Sequence, residues 1–144
     1  MSTYDNPWIF DGAEFTDDDI GNSVGFVYLI TNHMTQKKYI GRKYFYSTRK
    51  RKRTDKRRTT SASDWKTYYS SSDDLLKEVE QYGKENFLRE ILSLHKTKGD
   101  TNISEVKEQF LRNVLEDDTY LNGNINGKWH RPPHHIIKAG RYTR

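Results

Sequence analysis

The chain has 144 residues, a formal net charge of +5 and no cysteine, and its composition is 33% apolar, 31% charged and 13% aromatic. This length suits one globular domain, the aromatic content argues against wholesale disorder, and the missing thiols exclude disulfides and cysteine-bound metals. Because the sequence shows neither a run of ~18 apolar residues nor an apolar N-terminal signal segment, we expect a cytoplasmic protein with no membrane partner.

Residues 1–22 are predicted to form an acidic N-terminal extension. The first 36 residues contain six Asp or Glu and no Lys or Arg. The extension has no sustained helical or strand period, so we expect it to dock on the domain through its apolar side chains. These side chains are Trp8, Ile9, Phe10 and Phe15. One hypothesis is that the acidic charge shields basic surface elsewhere in the chain.

Residues 24–31 and 36–43 are predicted to pair as a β-hairpin, since both are rich in β-branched and aromatic residues. A four-residue loop at residues 32–35 would pair Thr31 with Gln36. That register places Tyr28 opposite Tyr39 on one face of the hairpin, beside the bare backbone of Gly41.

Residues 42–63 are predicted to form a basic surface loop. Residues 37–58 hold twelve Lys or Arg and one acid, and unpaired cations in this number are too costly to bury. A nucleic acid would release counterions on binding this charge, and the interleaved aromatic residues suit contacts with sugars and bases. A solvated charged loop is the alternative. The predicted nucleic-acid contacts are Arg42, Lys43, Lys50, Arg51, Lys52, Arg53, Lys56, Arg57, Arg58 and Lys66.

A helix is predicted over residues 73–82, capped by Ser72 or Asp73 and stopped by Gly83. A third strand follows over residues 86–94, where the sequence is NFLREILSL.

A second helix is predicted over residues 103–115, with Glu108 at the border of its apolar stripe. Residues 23–126 then form an α/β domain, in which a small, mainly antiparallel sheet of about three strands is flanked by helices. Residues 127–144 are a basic C-terminal tail.

The sequence contains two short motifs, ten residues apart, that resemble the paired motif of GIY-YIG nucleases: Phe26-Val27-Tyr28 and Tyr39-Ile40-Gly41. The first motif carries Phe26 where the family has glycine, with Gly25 just before it. Three further segments resemble later segments of the family, in the same order: QYGKENFLREIL at 81–92, EQFL at 108–111 and YLNGNI at 120–125. The basic segment followed by SDWKTYYSSS is most similar to small phage-encoded members related to free-standing homing endonucleases.

This resemblance implies a GIY-YIG-like fold and a metal-dependent endonuclease that hydrolyses phosphodiester bonds of DNA. It implies a phage-encoded, homing-type enzyme, at work in the cytoplasm of a bacterial host. One divalent ion, Mg²⁺ or Mn²⁺, would be held by Glu108, because a carboxylate supplies the hard oxygen ligand that such ions prefer.

The resemblance also assigns catalytic roles to the two tyrosines. Tyr28 would act as a general base or orient the attacking water, and Tyr39 would assist from across the hairpin. We expect nearby cations to lower the pKa of these phenols, since a phenol is otherwise protonated at neutral pH. The supporting residues are Gly41, Tyr69 and Asn124.

Arg49 takes the place of the family's catalytic arginine and would stabilise charge on the phosphate through its planar guanidinium group. Four neighbouring arginines are alternatives: Arg51, Arg53, Arg57 and Arg58.

Two other functions stay open on the same fold: a nucleic-acid-binding protein without catalysis, and a structure-selective nuclease of DNA repair or recombination. A zinc site at His130, His134 and His135 is disfavoured, because the intervening Pro132-Pro133 prevents a regular helical pair of ligands. One active site processes one strand, so a double-strand cut would need a homodimer, sequential nicking or reorientation.

Overall fold

The structure is a computed structural model that describes residues 4–50 and 58–132. Two helices and nine strands lie in these ranges, together with short 3-10 turns. The helices are α1 Asp73–Tyr82 and α2 Lys98–Leu111. The strands are β1 Ile9–Phe10, β2 Ala13–Glu14, β3 Gly25–Asn32, β4 Lys38–Tyr44, β5 Tyr46–Lys50, β6 Arg58–Ala62, β7 Phe87–His95, β8 Asn124–Ile125 and β9 Trp129–His130. Neither helix has the length and apolar composition to cross a bilayer.

The main sheet has five strands in the order β2-β1-β7-β3-β4. Only the β1–β7 pair is parallel within this sheet, so the predicted mainly antiparallel α/β architecture is confirmed. The predicted count of about three strands was too low, because β1 and β2 come from the N-terminal segment. Trp8 and Phe15 of that segment are buried in the core, where they contact rings from β3 and the loop after β6. Residues 8–15 thus belong to the same core as residues 23–126.

The hairpin of β3 and β4 forms, but its register differs from the prediction by two residues. Thr31 pairs with Lys38, and Tyr28 lies opposite Gly41. The turn is longer than four residues because Gln36 adopts a left-handed conformation (φ 65°) and Asn32 bonds with Lys37 across it. A shift of two residues preserves the faces of a strand, so the tyrosines still share one face.

The basic segment is not an irregular loop over its described part. Strands β5 and β6 pair antiparallel from Tyr46–Ala62 to Lys50–Arg58, with Arg49 opposite Thr59. The β-branched threonines of β6 favour this extended pairing. Five predicted nucleic-acid contacts lie outside the described residues: Arg51, Lys52, Arg53, Lys56 and Arg57.

Helix α1 has the predicted bounds, with Ser72 as its cap and Gly83 (φ 89°) after its last residue. Helix α2 begins at Lys98 rather than Ile103, because the Thr97 hydroxyl accepts a hydrogen bond from the backbone N–H of Asp100 at 3.0 Å. Its glycine-containing first turn has low intrinsic helix propensity, which is why the sequence indicated a turn there.

The predicted buried stripe of α2 is wrong for Ile103, Phe110 and Leu111. It is confirmed for Val106, which packs partly buried against the core, and for Val114 and Leu115, which are buried just after the helix ends. Ile103 and Leu111 are 58% and 77% exposed, whereas the buried side chains on this helix are polar: Thr101, Glu105 and Gln109. These three residues are spaced four apart and therefore share one face of the helix. A polar helix face is thus turned towards the sheet beside β4, with which α2 makes its most extensive packing.

The free edge of β4 is covered by the segment after α2. Lys38 bonds with the backbone of Thr119 and Leu121, and the side chain of Asn122 binds both the N–H and the carbonyl of Ile40 at 3.1 and 2.8 Å. These bonds satisfy backbone groups that an edge strand otherwise exposes.

Arg89 on β7 connects the N-terminal segment to the loop before α1. Its side chain is fully buried and donates to the carbonyls of Asn6, Lys66 and Tyr68. The guanidinium also lies 4.6 Å from the ring centroid of Trp8. Three chain segments therefore depend on one side chain.

We expect Arg89→Met to lower the free energy of unfolding by about 2–5 kcal/mol, because buried carbonyls lose their donors at ~1–3 kcal/mol each. Urea denaturation of the purified protein measures this change. Lys77→Met on the exposed side of α1 removes the same charge and serves as the control. Equal stability of the two variants would contradict the role given to Arg89.

Candidate active site

A cavity of about 640 Å³ opens where β4, α2, the ribbon of β5 and β6, and the start of the β8–β9 hairpin meet. Its lining includes Tyr28, Tyr39, Gly41, Arg42, Tyr44, Tyr68, Glu105, Gln109 and Asn124. A second cavity, of about 670 Å³, is lined by charged residues of both signs and by none of the predicted catalytic residues. The first cavity is therefore the candidate site.

Two tyrosines enter this cavity from adjacent strands. The rings of Tyr28 and Tyr39 have centroids 6.3 Å apart, and Tyr68 meets Tyr28 edge-on at 6.1 Å. Gly41 makes this arrangement possible, since a Cβ at position 41 would lie 2.5 Å from Tyr28 Cζ. The Tyr28 ring therefore packs directly over the backbone of Gly41, where any residue with a Cβ would clash with it.

The two phenols do not have the lowered pKa values expected from a cationic neighbourhood. Burial, reinforced by Tyr68 and Tyr39, raises the pKa of Tyr28 well above its usual value. Burial and the charge of Glu105 raise the pKa of Tyr39 to about 12, although Arg42 opposes this. Both hydroxyls therefore keep their protons at neutral pH in the protein alone.

Two of the cations that line the cavity are engaged by acids, and of these Arg42 opposes the raised pKa of Tyr39. Arg42 Nη1 lies 2.7 Å from Glu105 Oε1, and Lys43 Nζ lies 2.6 Å from Asp64 Oδ1 and 3.9 Å from the ring centroid of Tyr68. The desolvation of each phenol therefore outweighs the attraction of the cations for a phenolate.

Glu105 is the acidic side chain in the described lining of the cavity. It is 9% exposed, and burial raises its pKa while the hydrogen bond and charge of Arg42 act to lower it. Its carboxylate is thus buried beside the phenols and stabilised by one guanidinium group.

Glu108, the predicted metal ligand, does not line the cavity. Its Oε1 accepts a hydrogen bond from Arg112 Nε at 2.6 Å on a partly exposed part of the helix. Three residues at ~100° each place Glu108 only about 60° from Glu105 around the helix axis, so its pairing with Arg112 and its partial exposure, not a position on the opposite side of the helix, separate its carboxylate from the cavity. The polar spacing Thr101-Glu105-Gln109 is the sequence signal that could have identified Glu105.

Arg42, assigned from sequence to nucleic-acid contact, lines the cavity as its described arginine. Besides Glu105 it reaches the hydroxyl of Tyr44, 3.3 Å from its Nε. The backbone of Arg49 is paired in β5, and its side chain, like those of Lys50 and Arg58, lies outside the described part of the structure.

Of the two remaining supporting residues, Asn124 lines the cavity and Tyr69 does not. Asn124 lines the cavity, and its Oδ1 accepts the N–H of Gly127 at 2.9 Å. Tyr69 points away, with its hydroxyl bonded to Asn6 Nδ2 at 2.8 Å and its ring 4.3 Å from the guanidinium of Arg89. The adjacent Tyr68 occupies the cavity instead, since consecutive extended residues point to opposite sides.

The acidic N-terminal segment reaches one of the predicted nucleic-acid contacts. Asp17 Oδ2 lies 2.6 Å from Lys66 Nζ, with both side chains largely exposed. An exposed pair of this kind is worth little in water and dissociates readily when a stronger anion competes.

The donor set of the cavity suits a hard divalent ion held by few protein ligands. Within residues 4–50 and 58–132, no group of three or more acidic or histidine side chains converges. Mg²⁺ does not need such a cage, because it keeps several waters and takes one or two carboxylates together with substrate phosphate. Glu105 supplies a carboxylate of this kind next to an open, polar space.

A family model described as "Putative endonuclease segE, GIY-YIG domain" matches residues 8–125. The match spans the N-terminal strands, the tyrosine hairpin, both helices and Asn124. Comparisons with curated proteins and with solved structures returned no match. On this match and on the tyrosine pair that the fold builds, the chain belongs to the segE family of GIY-YIG endonuclease domains.

Proposed function

We propose that the protein is a metal-dependent endonuclease that hydrolyses phosphodiester bonds of DNA in the cavity beside β4. The observation that carries the proposal is the convergence of Tyr28, Tyr39, Arg42 and Glu105 on this one cavity. The family match supports a nuclease, and the basic segment supports DNA as its partner. The likeness of residues 63–72 to small phage-encoded members supports a homing-type enzyme that works in the cytoplasm of a bacterial host.

Glu105, in place of the aligned Glu108, is proposed to hold the divalent ion, Mg²⁺ or Mn²⁺. When bound, the ion would supply electrostatic stabilisation of the charge that develops on the attacked phosphate. Arg42 pairs with Glu105 in the protein alone, and so the buried carboxylate has a partner that favours its charged form against the desolvation penalty.

The phenols are proposed to act as neutral hydrogen-bonding groups. A protonated hydroxyl both donates and accepts, so Tyr28 and Tyr39 can fix the orientation of a water molecule for in-line attack. Accepting a proton from that water would require a phenolate, which the raised pKa values oppose in the protein alone. Orientation of water is therefore the role that the raised pKa values favour over general-base catalysis.

Arg42 is proposed as the arginine that contacts the phosphate. Its side chain is 37% exposed and lines the cavity, and its planar fork can bind two phosphate oxygens. Arg49 and the other arginines of the ribbon would then contribute to DNA affinity rather than to the chemical step.

We expect Glu105→Gln to reduce nicking of supercoiled plasmid in Mg²⁺ by about 100-fold or more, because charge stabilisation at the phosphate is lost. Glu108→Gln is the matched control, since it breaks an ion pair of similar length outside the cavity. Flap and junction DNA are offered beside linear duplex, and preferential cleavage of the flaps or junctions would identify a structure-selective enzyme. Loss of nicking in Glu108→Gln but not in Glu105→Gln would show that Glu108, the glutamate expected from the family resemblance, holds the ion. Equal DNA binding with no nicking by the wild type would support the non-catalytic alternative.

We expect Arg42→Lys to lower the single-turnover cleavage rate by about 10-fold or more while DNA affinity changes little, because lysine keeps the charge and loses the fork. The matched control is Arg112→Lys, in which a similarly exposed arginine leaves its pair with Glu108. Rates equal to wild type in Arg42→Lys would show that another arginine contacts the phosphate.

We expect Tyr39 to contribute no phenolate at pH 10, because its pKa is raised to about 12. A phenol whose pKa is raised by folding stabilises the protein below its unfolded value of about 10 and loses this contribution as the pH rises towards 12. Absorbance at 295 nm should therefore be the same at pH 10 for wild type and Tyr39→Phe. A wild-type excess of one phenolate at that pH would contradict the buried, neutral phenol.

A further inference from the structure

Gln109 is a buried cavity residue to which the proposed reaction gives no role. It lies one helical turn after Glu105 on the same face of α2, is 4% exposed, and lines the cavity. Polar side chains buried to this degree normally have all their hydrogen-bonding groups satisfied.

One end of the Gln109 amide is fully engaged. Its Nε2 donates to the carbonyl of Ile40 at 3.0 Å and faces Glu105 Oε2 at 3.4 Å. Both neighbours are acceptors, and the reversed amide would place oxygen against oxygen at each of them. The orientation is therefore fixed by two independent partners.

The other end has no partner. Gln109 Oε1 is the buried side-chain oxygen or nitrogen that lacks a hydrogen bond among the described residues. An amide oxygen left in this state is unfavourable, unless a group that is absent from the protein alone donates to it. Gln109 lines the same cavity as Glu105, and the 3.4 Å between its Nε2 and Glu105 Oε2 places the amide next to that carboxylate.

We propose that Gln109 Oε1 is an anchor for the hydration shell of the divalent ion held by Glu105, accepting a hydrogen bond from one of its waters. This inference rests on the proposed function and makes Gln109 a positioning residue. Mg²⁺ and Mn²⁺ keep several waters in sites with few protein ligands, and a fixed acceptor selects the orientation of one of them. The Nε2 bond to Ile40 then serves to aim Oε1.

Two substitutions separate this role from a structural one. Gln109→Met removes both the oxygen and the amide donor, whereas Gln109→Glu removes the donor, keeps an oxygen and adds a negative charge that by itself attracts a cation. Neither leaves the Ile40 carbonyl without a donor, because Asn122 Nδ2 also binds it at 2.8 Å. Because this charge favours Mn²⁺ by itself, the decisive comparison is Gln109→Met with the wild type, and weak binding in Gln109→Glu would indicate a structural role of the Nε2 bond.

The experiment is a titration of the DNA-free protein with Mn²⁺, followed by electron paramagnetic resonance. We expect Gln109→Met to bind Mn²⁺ about 10-fold more weakly than wild type, and Gln109→Glu to bind it at least as tightly as wild type. Gln81→Met on the exposed surface of α1 is the control and should bind as wild type.

Wild-type affinity in Gln109→Met, or affinity in Gln109→Glu as weak as in Gln109→Met, overturns the inference. If Gln109→Met does not fold, Gln109→Leu, which also lacks the oxygen and adds no charge, replaces it: affinity below wild type supports the proposal and wild-type affinity overturns it. Failure of the proposed metal site is distinguishable: there the wild type binds no Mn²⁺, or Glu105→Gln binds it as wild type does. Either result removes both proposals together.

Discussion

The candidate site depends on the burial of a carboxylate beside three phenol rings, which a guanidinium group from the adjacent strand makes possible. Without Arg42, Glu105 would have to be neutral or exposed, since an isolated buried carboxylate is costly. With it, the carboxylate has a cationic partner in a buried place, where its charge raises the pKa of Tyr39. The ion pair, the neutral phenols and the polar helix face are therefore parts of one electrostatic arrangement.

The two ion pairs on α2 show that context, not distance, decides what a salt bridge does. Arg42–Glu105 and Arg112–Glu108 have nearly equal lengths, 2.7 and 2.6 Å. The second lies within one helix on a partly exposed surface, where such pairs contribute little. The first joins a helix to a strand at a cavity. Desolvation makes each partner more dependent on the other there, so the electrostatic influence of this pair extends to the neighbouring rings.

The sequence alone predicts the elements whose signals are local. Helix α1 has a serine cap and a glycine stop, and both act at their predicted positions. The third strand was located within one residue. The tyrosines share a face because side chains alternate along a strand, whatever the length of the turn.

Features that depend on distant contacts were not predictable in the same way. The start of α2 depends on a threonine cap that outweighs a poor first turn, and its buried face depends on a polar partner, Arg42 of β4. The strands of the N-terminal segment are only two residues long and carry no period. Glu105 was missed because an apolar stripe usually marks the inner face of a helix, and here the inner face is polar and the exposed one carries Ile103 and Leu111.

The segment around Asn122 covers the edge of β4, and this has a consequence for the assembly of protomers. Two copies cannot join into one continuous ten-stranded sheet through this edge while a side-chain amide occupies the hydrogen-bonding groups of Ile40. Any pairing of protomers that brings two scissile strands within reach must therefore use a different surface.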